Sequence, residues 1–121
     1  MALNPNTDYP VNTLSMLATH TGTAVVVTDE RGRIEWVNQG FECISGYSLS
    51  EIQGRNPGRL LQCAQTDPLT LAQLGQALRL EAPFKGELLN RHKNGDHYWV
   101  ALEIQPVRDA SGCLKGFISL Q

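Results

Sequence analysis

Five segments along the chain have the apolar periodicity and composition of β-strands. They are residues 23–28, 33–37, 84–92, 97–107 and 114–120. β-branched residues dominate the first segment, and turn-forming residues separate the strands within each group. The Asn94-Gly95 pair between the third and fourth strands is a strong hairpin signal. The pattern therefore predicts one hairpin early in the chain and three successive antiparallel strands at its end.

Helical segments are predicted before and between these two groups of strands. In residues 1–21, apolar positions after Pro10 share one stripe, which predicts an amphipathic flanking helix. Further helices are predicted at residues 39–44, from Ser48 onward and at residues 69–80 after Pro68, with a loop over residues 54–67. This order predicts an α+β fold, with a five-stranded antiparallel sheet and short helices over one face.

Composition indicates one domain without a membrane span or a nucleic-acid-binding surface. The chain has 121 residues, of which 41% are hydrophobic and 18% charged, and its net charge is −2. No apolar run approaches the ~20 residues that cross a bilayer. Cys43, Cys63 and Cys113 lack metal-type spacing, so we expect reduced thiols in a cytoplasmic protein. Because the chain ends directly after an apolar strand, we expect residues 22–121 to be one domain of a longer protein.

Strand periodicity assigns two amides to the helix-covered face of the sheet, Asn90 and Gln121. The residues predicted to share this inner face are Phe84, Gly86, Leu88, Asn90, Tyr98, Val100, Leu102, Ile104, Phe117, Ser119 and Gln121. A buried amide without a partner costs about 1–3 kcal/mol. Either backbone groups or water satisfy these two amides, or the polar edge of a ligand does.

The opposite face of the sheet is also predicted to be apolar. It carries Trp99, Ala101, Val107, Ile118 and Leu120. Such a face needs a cover, which we expect from the flanking helix together with a second subunit, as in a homodimer. Trp99 is expected to pack beneath the flanking helix.

Three stretches of the sequence resemble PAS sensory domains and occur in the order found in that family. They are residues 27–38 (VTDERGRIEWVN), 41–47 (FECISGY) and 90–99 (NRHKNGDHYW). The resemblance covers residues 22–121. It implies a PAS fold and a sensory role in signal transduction, within a histidine kinase of a two-component system, a chemoreceptor or a cyclic-dinucleotide enzyme. The domain is not expected to be an enzyme, because no nucleophile–base set is visible.

Residues 54–62 (GRNPGRLLQ) resemble the flavin-binding loop of the light-oxygen-voltage subclass of PAS domains. The resemblance implies that Asn56, Gln62 and Asn90 hydrogen-bond the ring edge, that Arg59 pairs with phosphate, and that Gln121 lies near flavin N5. The implied cofactor is a flavin nucleotide, FAD or FMN. The candidate cofactor-binding residues are Asn56, Arg59, Leu61, Gln62, Asn90, Val100, Leu102, Phe117 and Gln121.

Two departures from the subclass change the expected chemistry. Pro57-Gly58, with one extra residue, stand where that subclass has its adduct-forming cysteine, and Val100 stands where it has a second flavin-edge asparagine. Cysteine photoadduct chemistry is therefore not expected, whereas redox sensing through a flavin is. A change in the cavity would be relayed through Gln121 and the last strand. The alternative is a ligand-free PAS module for dimerisation and signal relay, its core filled by its own side chains.

Two other chromophores fit the sequence poorly. Cys63 lies near the position where photoactive yellow protein attaches its chromophore, but Val37 and Phe41 stand where that family has a tyrosine and a glutamate. An uncompensated phenolate in an apolar pocket would be costly. Haem binding is not expected either, because residues 54–80 contain no histidine to serve as an axial ligand.

Overall fold

The computed structural model describes residues 23–121, so the flanking helix predicted for residues 1–21 lies outside the described residues. Within this part of the chain, the strands are β1 (Val25–Asp29), β2 (Ile34–Val37), β3 (Phe84–Arg91), β4 (His97–Arg108) and β5 (Leu114–Leu120). The helices are α1 (Gln39–Ser45), α2 (Leu49–Ile52), α3 (Pro57–Leu61) and α4 (Pro68–Arg79). The predicted order of elements is confirmed.

The five strands form one antiparallel sheet in the order β2-β1-β5-β4-β3. The last strand is therefore central, because β5 pairs with β1 on one side and with β4 on the other. Ser119 at the middle of this arrangement lies opposite Val26 of β1 and Ile104 of β4. The first hairpin is thus joined to the three later strands through the segment that ends the chain.

Side-chain caps determine where the helices begin. Asp67 accepts hydrogen bonds from the backbone N–H groups at the start of α4, and Pro68 occupies the first helical position. Asn56 and Pro57 repeat this combination at the start of α3. Helix α3 lies inside residues 54–67, which we predicted as a loop. That prediction was wrong for five residues, because the cap-plus-proline signal at Asn56-Pro57 outweighs the glycine that follows it.

Both faces of the sheet carry buried apolar clusters. On the inner face, one cluster lies under α1, α2 and α3, and a second joins α4 to β3, β4 and β5. The outer face carries a third cluster of Val25, Val27, Val107, Ile118 and Leu120. The prediction of apolar side chains on both faces is therefore confirmed.

Trp99 is 69% exposed. The flanking helix that was predicted to cover it lies outside the described residues. Trp99 lies near the start of β4 and pairs with Leu89 of β3, whereas the outer cluster contains Val107 at the far end of β4. The indole therefore lies beyond the reach of that cluster.

Candidate ligand-binding cavity

A cavity of about 470 Å³ lies between the inner face of the sheet and helices α3 and α4. Its walls are mainly apolar, with side chains from the sheet such as Val26, Leu88 and Ile104 and from α4 such as Leu74 and Leu78. An apolar cavity of this size with a few convergent polar groups is the usual form of a small-molecule site.

Seven of the nine predicted site residues line this cavity. They are Asn56, Leu61, Gln62, Asn90, Leu102, Phe117 and Gln121. The residues in and around α3 are Asn56, Leu61 and Gln62. The others are Asn90 on β3, Leu102 on β4, Phe117 on β5 and Gln121 directly after β5. The structure therefore brings together amides from three separate parts of the sequence.

Arg59 and Val100 do not line the cavity. Pro57, Gly58 and Leu61 present one side of α3 to the cavity, and Arg59 lies on another side and is exposed. Val100 is only 4% exposed and belongs to the apolar cluster between α4 and the sheet. Val100 was predicted correctly as an inner-face residue, but it lies behind the cavity wall.

Two amide side chains flank α3, Asn56 at its N-terminus and Gln62 at its C-terminus. The Asn56 side-chain oxygen accepts hydrogen bonds from the backbone N–H of Gly58 at 2.8 Å and of Arg59 at 3.4 Å. This leaves the Asn56 amide nitrogen as the group available to a ligand. A Cβ atom added to Gly58 would lie 2.9 Å from Nε2 of Gln62. The absence of a side chain at Gly58 therefore lets the Gln62 amide pack against the start of α3.

Two buried polar atoms that line the cavity have no hydrogen-bond partner among residues 23–121. They are Oγ of Ser119 on β5 and Oε1 of Gln121, the residue directly after β5. The Gln121 backbone is held in place, since its N–H donates to the Ala24 carbonyl at 2.8 Å. A buried polar atom without a partner is costly, so these two atoms mark where a polar group is needed.

Two arginines that line the cavity were absent from the predicted site. Arg31 lies in the turn between β1 and β2, and Arg79 ends α4. Both are exposed, so they lie where the cavity opens to solvent. Hydrophobic periodicity could not predict them, because residues of a turn and of a helix end come to line the same cavity only when the chain folds.

Cys63 lies just after α3 and does not line the cavity. A hydrogen bond with the Thr66 hydroxyl lowers the pKa of the Cys63 thiol below its ordinary value. Thr66 in turn donates to the Leu89 carbonyl at 2.7 Å. The thiol is thus part of the connection between α3 and α4, and its position gives no support to chromophore attachment in the cavity.

Residues 23–121 contain neither a cluster of metal-ligating side chains nor a membrane-spanning helix. No group of three or more histidine, cysteine, aspartate or glutamate side chains there has the arrangement of a metal site. No helix in the same range is long and apolar enough to cross a membrane.

Comparison with known families and curated proteins gives consistent matches. A family model described as PAS domain matches residues 22–121. The chain is 34% identical over 98 residues to a nitrogen fixation regulatory protein of Klebsiella pneumoniae, covering 81% of this chain and 20% of that protein. It is 36% identical over 88 residues to a blue-light-activated histidine kinase of Brucella ovis, covering 73% and 18% respectively. The chain thus spans about a fifth of the length of these relatives.

A solved structure shows the same architecture. It is a light-oxygen-voltage domain whose mechanism was studied with a flavin analogue. The two chains superimpose with a TM-score of 0.82 at 31% sequence identity, covering 91% of this chain and 82% of that one. The fold predicted from the element order is therefore the fold of this solved domain.

Proposed function

The chain belongs to the PAS domain family, and from that premise we propose that this sensory domain binds a flavin nucleotide in its inner cavity. The observation that carries the proposal is the placement of seven predicted flavin-site residues around one apolar cavity. A planar ring with a polar edge matches apolar walls with amides at Asn56, Gln62, Asn90 and Gln121. The similarity to a light-oxygen-voltage domain and to a blue-light-activated kinase supports the same ligand class.

Arg31 and Arg79 are the proposed partners of the ligand's phosphate. A guanidinium group binds phosphate through paired hydrogen bonds, and both side chains lie where the cavity opens to solvent. The sequence resemblance assigned this role to Arg59, which lies outside the cavity lining. Either FMN or FAD presents a phosphate in this position, so the arginines support a nucleotide form of flavin and leave both open.

The proposed response to a signal is non-covalent. Pro57 and Gly58 line the cavity, and neither has a nucleophilic side chain. By the sequence resemblance, they stand where the light-oxygen-voltage subclass has its reactive cysteine. We expect a change in flavin redox state to alter the hydrogen bonds of Gln121. Because β5 pairs with both β1 and β4, a shift there reaches the whole sheet.

The relatives suggest which kind of effector this domain regulates. The relatives are a histidine kinase and a nitrogen fixation regulator, each about five times longer than the matched region. We propose that this domain regulates an effector of that signalling type and does not itself catalyse a reaction. We also propose a homodimer in which the exposed Trp99 lies in the contact surface.

A ligand-free relay module was the alternative predicted from the sequence. That alternative requires a core filled by its own side chains, and the 470 Å³ cavity is space that a filled core lacks. The structure therefore favours a ligand-binding module.

The absorption spectrum of the purified 121-residue chain tests the proposal. We expect the vibronic bands of bound flavin in protein as isolated or after addition of FMN or FAD, and bleaching with dithionite. Leu78→Trp fills the cavity from α4 and should abolish binding, whereas Leu69→Trp on the same helix is a matched control because Leu69 is 66% exposed. A wild-type protein that binds neither flavin at micromolar concentration would overturn the proposal and favour the ligand-free relay.

A further inference from the structure

Ser119 has an unusual position for a serine, because it lies in the centre of the sheet with its side chain in the cavity. It is 9% exposed, and its hydroxyl has no hydrogen-bond partner among residues 23–121. The residue belongs to β5, the central strand. A hydroxyl buried without a partner loses its bonds to water and receives nothing in return.

The neighbours of Ser119 explain why the fold does not satisfy this hydroxyl. Val26 and Ile104 lie directly opposite it on the two flanking strands. Two residues away along the chain are Phe117 on β5 and Gln121 directly after β5, and the buried side-chain oxygen of Gln121 also lacks a partner. Three of these four side chains are apolar, so they offer no acceptor or donor.

Other buried hydroxyls of the domain do have partners. Ser45 donates to the Phe41 carbonyl at 2.7 Å, and Thr28 donates to the Asp29 carbonyl at 3.1 Å. Both bond to nearby backbone, as short polar side chains commonly do. Ser45 lies on a helix, and Thr28 lies at a register shift near the end of β1, whereas Ser119 lies where β5 pairs regularly with both neighbouring strands.

We propose that Ser119 is a ligand-contacting residue that helps to determine which ligand the cavity accepts. This inference rests on the proposed function. Ser119 and Gln121 are two residues apart along the chain, so their Cα atoms are about 7 Å apart. They form a polar pair at the end of β5, and Ser119 lies between the apolar Val26 and Ile104 of the neighbouring strands. The ligand is therefore a ring system with a polar atom opposite Ser119 in addition to the edge that contacts Gln121.

The experiment compares two serine-to-alanine substitutions with FMN as the probe. One removes a buried hydroxyl from the cavity, and the other removes a buried hydroxyl outside it. Ser119→Ala should weaken FMN binding by about five- to tenfold, because a bound polar atom loses its partner. It should not lower the melting temperature of the ligand-free protein, since the hydroxyl makes no bond within the fold. Ser45→Ala is the matched control, because Ser45 is fully buried, donates to the Phe41 carbonyl and does not line the cavity. It should lower that melting temperature and leave the FMN dissociation constant within about twofold.

The binding and melting measurements decide whether Ser119 contacts the ligand. If Ser119→Ala binds FMN as tightly as the wild type, or destabilises the ligand-free protein as Ser45→Ala does, Ser119 is not a ligand contact. Ser119→Thr retains a hydroxyl on a residue suited to strands and should keep most of the affinity. Equal weakening by Ser119→Thr and Ser119→Ala would also overturn the inference. If the wild-type protein binds no FMN, the proposed function fails and this inference fails with it.

Discussion

Asn38 joins the first strand to the first helix, and its replacement should destabilise the domain strongly. Its side-chain oxygen accepts hydrogen bonds from the backbone N–H of Val25 at 2.8 Å and of Phe41 at 3.0 Å. Its side-chain nitrogen donates to the Thr23 carbonyl at 2.7 Å. Asn38→Ala removes all three bonds at once.

The loss in the free energy of unfolding depends on which backbone groups Asn38→Ala leaves without a partner. Loss of the α1 cap costs about 1 kcal/mol. The Val25 N–H belongs to a residue that is 1% exposed, so leaving it unpaired costs about 1–3 kcal/mol. Thr23 is half-buried, and water can replace most of the third bond. Asn38→Ala should therefore lower the free energy of unfolding by about 3 kcal/mol, or roughly 150-fold in the folding equilibrium constant.

Urea unfolding followed by far-ultraviolet circular dichroism measures this loss. Asn38→Asp keeps the accepting oxygen and loses the donor, so it should cost about 1 kcal/mol. Asn94→Ala is the matched control, because Asn94 accepts a single bond from the Asp96 N–H in an exposed turn, and it should cost less than about 1 kcal/mol. The reasoning is refuted if Asn38→Ala costs no more than Asn94→Ala.

Three further predictions concern the sheet, the pH dependence and the surface. Gly116→Ala should cost more than about 3 kcal/mol in urea unfolding, because the new Cβ would lie 1.9 Å from the Thr28 carbonyl oxygen. Burial raises the pKa of Asp29, but hydrogen bonds from the Arg33 backbone and guanidinium outweigh it, so the net pKa lies below the ordinary value. The ionised Asp29 side chain therefore stabilises the folded protein above pH ~3.9, and this contribution is lost as the pH falls through the folded-state pKa. In Asp29→Asn, the free energy of unfolding should fall less steeply as the pH is lowered through this range. Trp99→Ser should abolish self-association in light scattering after size exclusion and leave the circular dichroism spectrum unchanged.

Matched variants decide these three outcomes. Gly75→Ala introduces a Cβ no closer than 3.4 Å to a flexible side-chain atom, so it should fold normally, and a Gly116→Ala protein of equal stability would contradict the packing argument. If the free energy of unfolding falls equally with decreasing pH in Asp29→Asn and in the wild type, the ionisation of Asp29 does not contribute to stability. Leu69→Ser removes an equally exposed apolar side chain from α4. Self-association that is lost equally in Leu69→Ser and Trp99→Ser, or retained in both, would contradict a specific role for Trp99.

The sequence by itself determined the strands, every described helix except α3, and the face on which each strand residue lies. Alternation along β4 and β5 assigned Leu102 and Phe117 to the inner face, and both are buried there. This works because a strand's side chains alternate whatever its neighbours are. The amides Asn90 and Gln121 were recognisable for the same reason, since each interrupts an apolar series. Turn and cap residues act over a few neighbours, so they too are readable from the chain.

Only the tertiary structure decided which of these residues share a cavity. The order β2-β1-β5-β4-β3 brings Gln121 beside residues from the start of the chain, and no local pattern contains that adjacency. The orientation of α3 places Arg59 outside the cavity lining. Arg31 and Arg79 come from distant segments of the chain, and both line the cavity. The unpartnered hydroxyl of Ser119 likewise depends on its neighbours across two strands. Hydrogen-bond satisfaction is a property of the assembled sheet, because the groups that provide or withhold a partner are remote in sequence.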